Sequence, residues 1–258
     1  MIDGHIHFNN QPYTIETIQN MVDVAIQKGV DKLYLLDHTH KFKEFRFLYS
    51  SLKEEKTIAA RERVFSRQVS VHDYIDFINE VKKKSWPVEL YFGLEVCYSK
   101  EHNNEFKKSL ELLLPFKFDF LIGSIHFVDG AAVDLDKSIY LTRDVDEFYR
   151  HYFDELYSLV ESNTFTFVAH PDLFKLFDIF PSFDLEPYYS HFCELLVKYD
   201  METENNSGSI RFGFPYPGVS PALLKAFKKY GVKYHRSSDA HKYEDIGRAF
   251  DKIDSSVD

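Results

Sequence analysis

The sequence predicts an α/β fold, a distorted (β/α)7 TIM-like barrel in a single domain, and three observations point to it. Apolar runs of strand length alternate with helix-period segments from Met1 onward; seven such runs can be counted; and nearly every one ends in His, Asp or Glu. Parallel strands need crossover connections, which helices supply. Barrels of this kind gather their polar working groups at the C-terminal ends of the strands, whereas an open doubly wound sheet would gather ligands at one crevice. A chain of 258 residues can bury one large core, and no repeat, low-complexity stretch or Pro/Gly-rich linker marks a boundary, so residues 1–258 read as one domain.

The elements follow in order. The first strand is Met1 to Phe8. A helix from Thr14 to Lys28 then places Ile15, Ile18, Met21, Val22, Ala25 and Ile26 on one stripe and stops at Gly29. Asp31 to Leu36 is the second strand and runs into Asp37-His38-Thr39-His40. A basic insertion at about 41–69 follows, before Ser70 caps a helix carrying Val71, Ile75, Ile78 and Val81. Val88 to Val96 is a strand holding Glu95, Asn104 to Leu114 a helix, and Phe118 to Ile125 a strand ending at His126. Val145 to Val160 reads as helix and Thr164 to Ala169 as a strand ending at His170. Leu185 to Lys198 is a helix followed by a strand from Tyr199 to Thr203. Ser220-Pro221 opens the last helix, and the strand Gly231 to Ser237 leads to Asp239 and His241.

Composition narrows the function classes. A net charge of −10 argues against general affinity for nucleic acid or anionic membrane, since both depend on Lys and Arg meeting phosphate. No apolar run approaches the length of a membrane span, and no basic stretch followed by an apolar segment suggests a secretory signal. Two cysteines, Cys97 and Cys193, are too few for a disulfide framework, so a cytoplasmic protein is expected. The 25 Phe and 17 Tyr read as core, and no pattern fixes an oligomeric state.

His5 and His7 share one face of an extended strand and can reach one ion. His-x-His alone is a weak signal. It gains meaning because Asp37-His38, Glu95, His126, His170 and Asp239-Ala-His241 also fall at strand ends. Imidazole with carboxylate suits zinc, manganese or iron. The candidates exceed one ion's needs, and a carboxylate such as Glu95 can bridge two, so a multinuclear centre of two or three divalent ions is predicted, with hydrolysis as its chemistry.

Together Asp3-Gly-His-Ile-His7, Asp37-His38, Gly93-Leu-Glu-Val96, Gly123-Ser-Ile-His-Phe-Val-Asp-Gly130, Ala169-His-Pro-Asp172 and Ser238-Asp-Ala-His241 resemble the polymerase and histidinol phosphatase (PHP) family over essentially the whole chain. Glu202-Thr-Glu-Asn-Asn-Ser-Gly208 with Arg211, and Ser238 to Arg248, resemble its histidinol-phosphate phosphatase branch. That resemblance implies removal of phosphate from L-histidinol phosphate by metal-activated water. It implies a first ion on His5, His7, Glu95 and Asp239 and a second on Glu95, His126 and His170. A third would take His38, His241 and a histidine where this chain has Tyr13; Asn9, Asn10 and His40 are the substitutes nearby. Cys97 stands where an acidic residue is usual and is expected to alter packing only.

Arg211 is the expected phosphate clamp, a guanidinium being shaped for phosphate, and Asp239 a possible proton shuttle. Glu202, Asn205 and Asp129 are candidates for the substrate's ammonium and imidazole. The insertion holds eight Lys/Arg (Lys41, Lys43, Arg46, Lys53, Lys56, Arg61, Arg63, Arg67) against four Glu, and is read either as a lid drawing in phosphate or as a solvated charged face. His72, His102, His151 and His191 are assigned surface or core roles, and His235 a packed strand position. Two other readings stay open: a phosphoesterase of the same family for a phosphotyrosyl peptide or nucleotide, and a non-catalytic metal-binding module.

Overall fold

The computed structural model describes residues 1–9, 11–214 and 217–257. Its strands are β1 (Ile2–His7), β2 (Lys32–His38), β3 (Glu89–Cys97), β4 (Phe120–Ser124), β5 (Phe127–Val128), β6 (Ala131–Ala132), β7 (Phe167–Val168), β8 (Glu202–Asn206) and β9 (Tyr234–Ser237). β5 and β6 form a small antiparallel hairpin. The other seven pair in parallel, each beside its predecessor, as helical crossovers require. The helices are α1 (Ile15–Lys28), α2 (Glu55–Phe65), α3 (Val71–Lys82), α4 (Asn103–Glu111), α5 (Ser138–Leu141), α6 (Val145–Glu161), α7 (Glu186–Lys198) and α8 (Pro221–Tyr230). Among the described residues no helix is long and apolar enough to cross a membrane.

Strand alternation sorts the side chains into two cores. Leu33, Leu35, Phe92, Leu94 and Val96 face the helices, while Tyr34, Leu36, Tyr91, Phe120, Ile122, Phe167 and Ala169 fill the barrel floor. Above that floor the inward positions turn polar. The outer layer is anchored by capped helices. α1 begins at Thr14, whose hydroxyl accepts the Thr17 N–H at 3.2 Å, and ends at Gly29 with φ 71°, a left-handed conformation that favours glycine. Its Ile18 and Val22 are wholly buried, each contributing about 1.5–3 kcal/mol. Ile26, expected on the same stripe, falls at the edge of that arc and is 53% exposed.

The barrel is nearly closed. Between β9 and β1 a single bridge joins Ile6 to Ala240, with the His7 N–H donating to Ala240 O at 2.8 Å. Asp3 completes the seam: its carboxylate accepts the Ser238 N–H at 2.9 Å and the Gly247 N–H at 2.8 Å. Gly4 lets the two strands approach, since a Cβ there would stand 2.0 Å from the His235 ring. Asp3→Ala would leave both N–H groups without their acceptor and is expected to cost about 2–4 kcal/mol, read from the urea midpoint of the metal-free protein.

Besides the β5–β6 hairpin and α5, for which no element was expected, two regions differ from expectation. The strand expected over Tyr199–Thr203 lies three residues later, because Asp200 takes φ 49° and holds the chain in a turn after α7. The insertion is not a plain loop: Lys43–Tyr49 forms a 3-10 helix, and α2 follows, capped by Glu54.

Candidate metal centre

The ends of β1, β2, β4 and β7 bring imidazoles to Glu95 on β3. β1 sets His5 and His7 side by side, their Nε2 atoms 2.9 Å apart. Glu95, fully buried on β3, lies between two groups of imidazoles. Its Oε2 is 3.3 Å from His5 Nε2, 3.3 Å from His7 Nε2 and 2.9 Å from His38 Nδ1. Its Oε1 is 3.0 Å from His170 Nε2 and 3.5 Å from His126 Nε2. Asp239 Oδ1 approaches His7 Nε2 at 3.2 Å and His5 Nε2 at 3.9 Å. His170 and Asp239 take positive φ, 24° and 49°, conformations that persist only where the surroundings impose them.

These spacings fit ligands better than a hydrogen-bond network. Donor atoms around a tetrahedral ion with bonds of about 2.0–2.1 Å stand about 3.3 Å apart. Glu95 Oε2 and His38 Nδ1, though buried and close, have no hydrogen-bond partner among the described residues. A cation between them would satisfy both. His5, His7 and Glu95 form one group within reach of a common ion, with Asp239 beside His7, and His38, Glu95 and His126 form another, with His170 at Oε1. His7, His38 and His241 also lie within reach of a common ion, as do His38, His40 and Cys97.

The residues expected near a third ion are disposed differently. Tyr13 donates its hydroxyl to Asp37 at 2.7 Å and packs against Tyr74 and Phe77. Asn9 donates its backbone N–H to Asp37, and its carbonyl accepts from the Lys41 ammonium; Asn10 lies outside the described residues. His40 stacks on His38 at 4.5 Å. Cys97 does more than pack, its Sγ lying 3.3 Å from His126 Nδ1 beside the Ser124 hydroxyl.

Arg211, at the end of a 3-10 turn after β8, donates from Nη1 to Asp239 O at 2.8 Å and from Nη2 to Asp239 Oδ2 at 2.9 Å, and touches His241. Three other candidates lie apart from the centre. Glu202 sits at the opposite end of β8, facing His235 at 3.8 Å; Asn205 points outward to Asp254 and Val219; Asp129 pairs with the exposed His151 at 2.9 Å. Strand direction and the period of two place Glu202 and Asn205, and the β5–β6 turn carries Asp129. His191 faces Glu194 on α7, and His102 packs against Ser50.

The same period brings in Glu204, a carboxylate the sequence reading did not single out. Buried on β8, it contacts His5 Nδ1 at 3.2 Å, accepts the His170 N–H at 2.8 Å and takes the Asn206 amide at 2.6 Å. A carboxylate behind a ligating histidine fixes its tautomer and raises its basicity. Glu204→Ala is expected to weaken metal binding about 10–100-fold in a chelator competition.

Burial disfavours charge on every group here, and neighbouring charges decide the outcome. It opposes ionisation of Glu95, yet His38, His126 and His5 hold that carboxyl well below the usual range. Burial likewise opposes ionisation of Asp239, but Arg211 and His7 outweigh it. Burial and neighbouring imidazoles push His7 far down, and burial outweighs Glu95 at His126. His38 resists burial through Glu95 and is pushed up to about 10; His5 rises well above its ordinary value through Glu204 and Glu95. At neutral pH an entering cation must therefore displace protons from His38 and His5. Apparent metal affinity is expected to rise with pH, about ten-fold per unit for each proton released, in zinc titrations between pH 6 and 8.

Residues 3–208 match the family described as PHP domain. A protein named "Probable histidinol-phosphatase" from Deinococcus radiodurans is 23% identical over 254 residues, covering 97% of this chain and 90% of its own. The crystal structure of hisK from Listeria monocytogenes superposes with a TM-score of 0.75 at 18% identity, over 98% of this chain and 100% of that one. Histidinol phosphate phosphatase from Lactococcus lactis, solved with zinc, L-histidinol and phosphate, gives a TM-score of 0.67 at 18% identity over 98% and 92%.

Proposed function

Since the chain belongs to the PHP domain family, we propose that it is a metal-dependent phosphomonoesterase acting on L-histidinol phosphate in histidine biosynthesis. The observation that carries the reading is Glu95, whose two oxygens face separate histidine groups at ligand spacing. The names of the relatives, and the histidinol and phosphate held by the Lactococcus protein, support the substrate.

His5, His7, Glu95 and Asp239 would hold one divalent ion and Glu95, His126 and His170 another, with His38 and His241 available to a third. Such ions lower the pKa of water and draw negative charge from a phosphoryl group. Arg211 offers guanidinium donors to the phosphoryl oxygens from beside Asp239. Asp239, held ionised, can take a proton from the attacking water and pass it to the leaving alkoxide. Glu204 keeps His5 oriented throughout.

Phosphate release from L-histidinol phosphate and from a generic aryl phosphate, measured on metal-analysed protein, tests the substrate. The expected kcat/KM ratio is about 100 or more in favour of histidinol phosphate, as a site with paired polar contacts discriminates. Equal efficiency would reject the substrate, and no release with any divalent metal would reject the enzyme.

A further inference from the structure

One cation of the insertion lies at the rim of the centre. α2 carries Arg61 with its guanidinium 5.0 Å from the centroid of the Phe127 ring and Nη1 3.2 Å from His40 Nδ1. His40 stacks on His38, and Phe127 lies beside His126 with ring centroids 6.4 Å apart. His38 and His126 face opposite oxygens of Glu95. The guanidinium is therefore seated between the neighbours of both halves of the centre.

Its partners are unusual for a half-buried arginine. Lys41 pairs with Asp37, Arg46 with Glu62 and Lys56 with Asp136, whereas Arg61 makes no direct ion pair among the described residues and is balanced only through space by Asp134. A guanidinium carries five N–H donors and no acceptor. His40 Nδ1 must be the acceptor in their contact, and that contact engages Nη1 alone among the guanidinium nitrogens. A positive group kept at the rim of a metal cluster with donors to spare is complementary to an anion.

We propose that Arg61 is a second phosphate-binding guanidinium, reaching the phosphoryl oxygens from the β2 and β4 side while Arg211 reaches them from the β9 side. The inference rests on the phosphatase reading and gives the insertion a defined role: α2 delivers one directed contact. Long-range steering would fall on all eight cations alike; contact falls on Arg61. A competing use of the same region is a cation held by His38, His40 and Cys97, whose donor atoms lie within 4.8 Å of one another. Arg61 donating to His40 places positive charge against that use.

Calorimetric titration of inorganic phosphate into the metal-loaded full chain separates these. Arg61→Gln is expected to weaken phosphate binding about 10–100-fold with metal content per chain unchanged, and Arg61→Lys to recover part of the loss. Arg63→Gln, which removes the same charge from an exposed position on the same helix, is expected to change binding less than about three-fold. KM for L-histidinol phosphate should rise with the phosphate Kd. Equal phosphate affinity in Arg61→Gln and wild type, equal losses in the Arg61 and Arg63 variants, or metal loss on Arg61→Gln would each overturn the assignment. So would a thiolate-to-cobalt absorption band in cobalt-loaded protein that disappears in Cys97→Ser. Wild-type protein that binds phosphate through Arg61 yet spares L-histidinol phosphate would support the inference and reject the substrate.

Discussion

Glu95→Gln is expected to lower phosphate release by about a thousand-fold or more and to reduce bound metal per chain. The carboxylate is fully buried, faces five imidazoles and shares one oxygen with each half of the centre. An amide keeps the shape but supplies one weak acceptor and no charge, so two dications would stand close together without the anion between them. Lewis-acid stabilisation is worth several kcal/mol, and about 4 kcal/mol corresponds to a thousand-fold in rate. Metal analysis beside turnover decides the cause. Full metal occupancy with near-normal turnover in Glu95→Gln would contradict the bridging role.

The second large effect is expected at Arg211. Its guanidinium is tied to Asp239 through both a backbone and a carboxylate oxygen. Arg211→Ala removes the proposed phosphate ligand, so KM should rise about 10–100-fold, the range for charge-assisted hydrogen bonds. It also removes the strongest charge keeping Asp239 ionised. With metal in excess, the ionised Asp239 proposed as proton shuttle is lost as pH falls through its pKa and sets the acid limb. Removing a cation raises that pKa, so the acid limb of the kcat profile should move to higher pH. Arg211→Lys should restore the acid limb more fully than KM, because ammonium supplies charge without the planar fork. A normal KM with an unshifted limb would remove the residue from the site.

The cluster was legible because strand direction is simple to read: in a parallel barrel every strand end faces the same way, so His126, His170 and Asp239 could be placed without knowing any contact. What period two implies depends on where a strand begins, and β8 hid its start. Its sequence, Glu-Thr-Glu-Asn-Asn, lacks the apolar alternation of a half-buried strand, since it lies over a polar interior. Glu202 and Asn205 stand out for their acidic and amide chemistry, while Glu204, on the same face as Glu202 but two residues nearer the strand's end, is passed over. The insertion was opaque for another reason. Within α2 only Thr57 is buried, so no apolar stripe announces the helix. Arg61 is one of eight similar cations until the fold brings it over Phe127. The β5–β6 hairpin did carry a local signal, Asp129-Gly130, both at positive φ as a tight two-residue turn requires.

Anomalous diffraction from crystals grown with zinc or manganese tests the central claim most directly. The account predicts at least two metal peaks flanking the Glu95 carboxylate, one contacted by His5, His7 and Asp239 and one by His126 and His170. A single ion that Glu95 does not contact, or no ion among these residues, would contradict it.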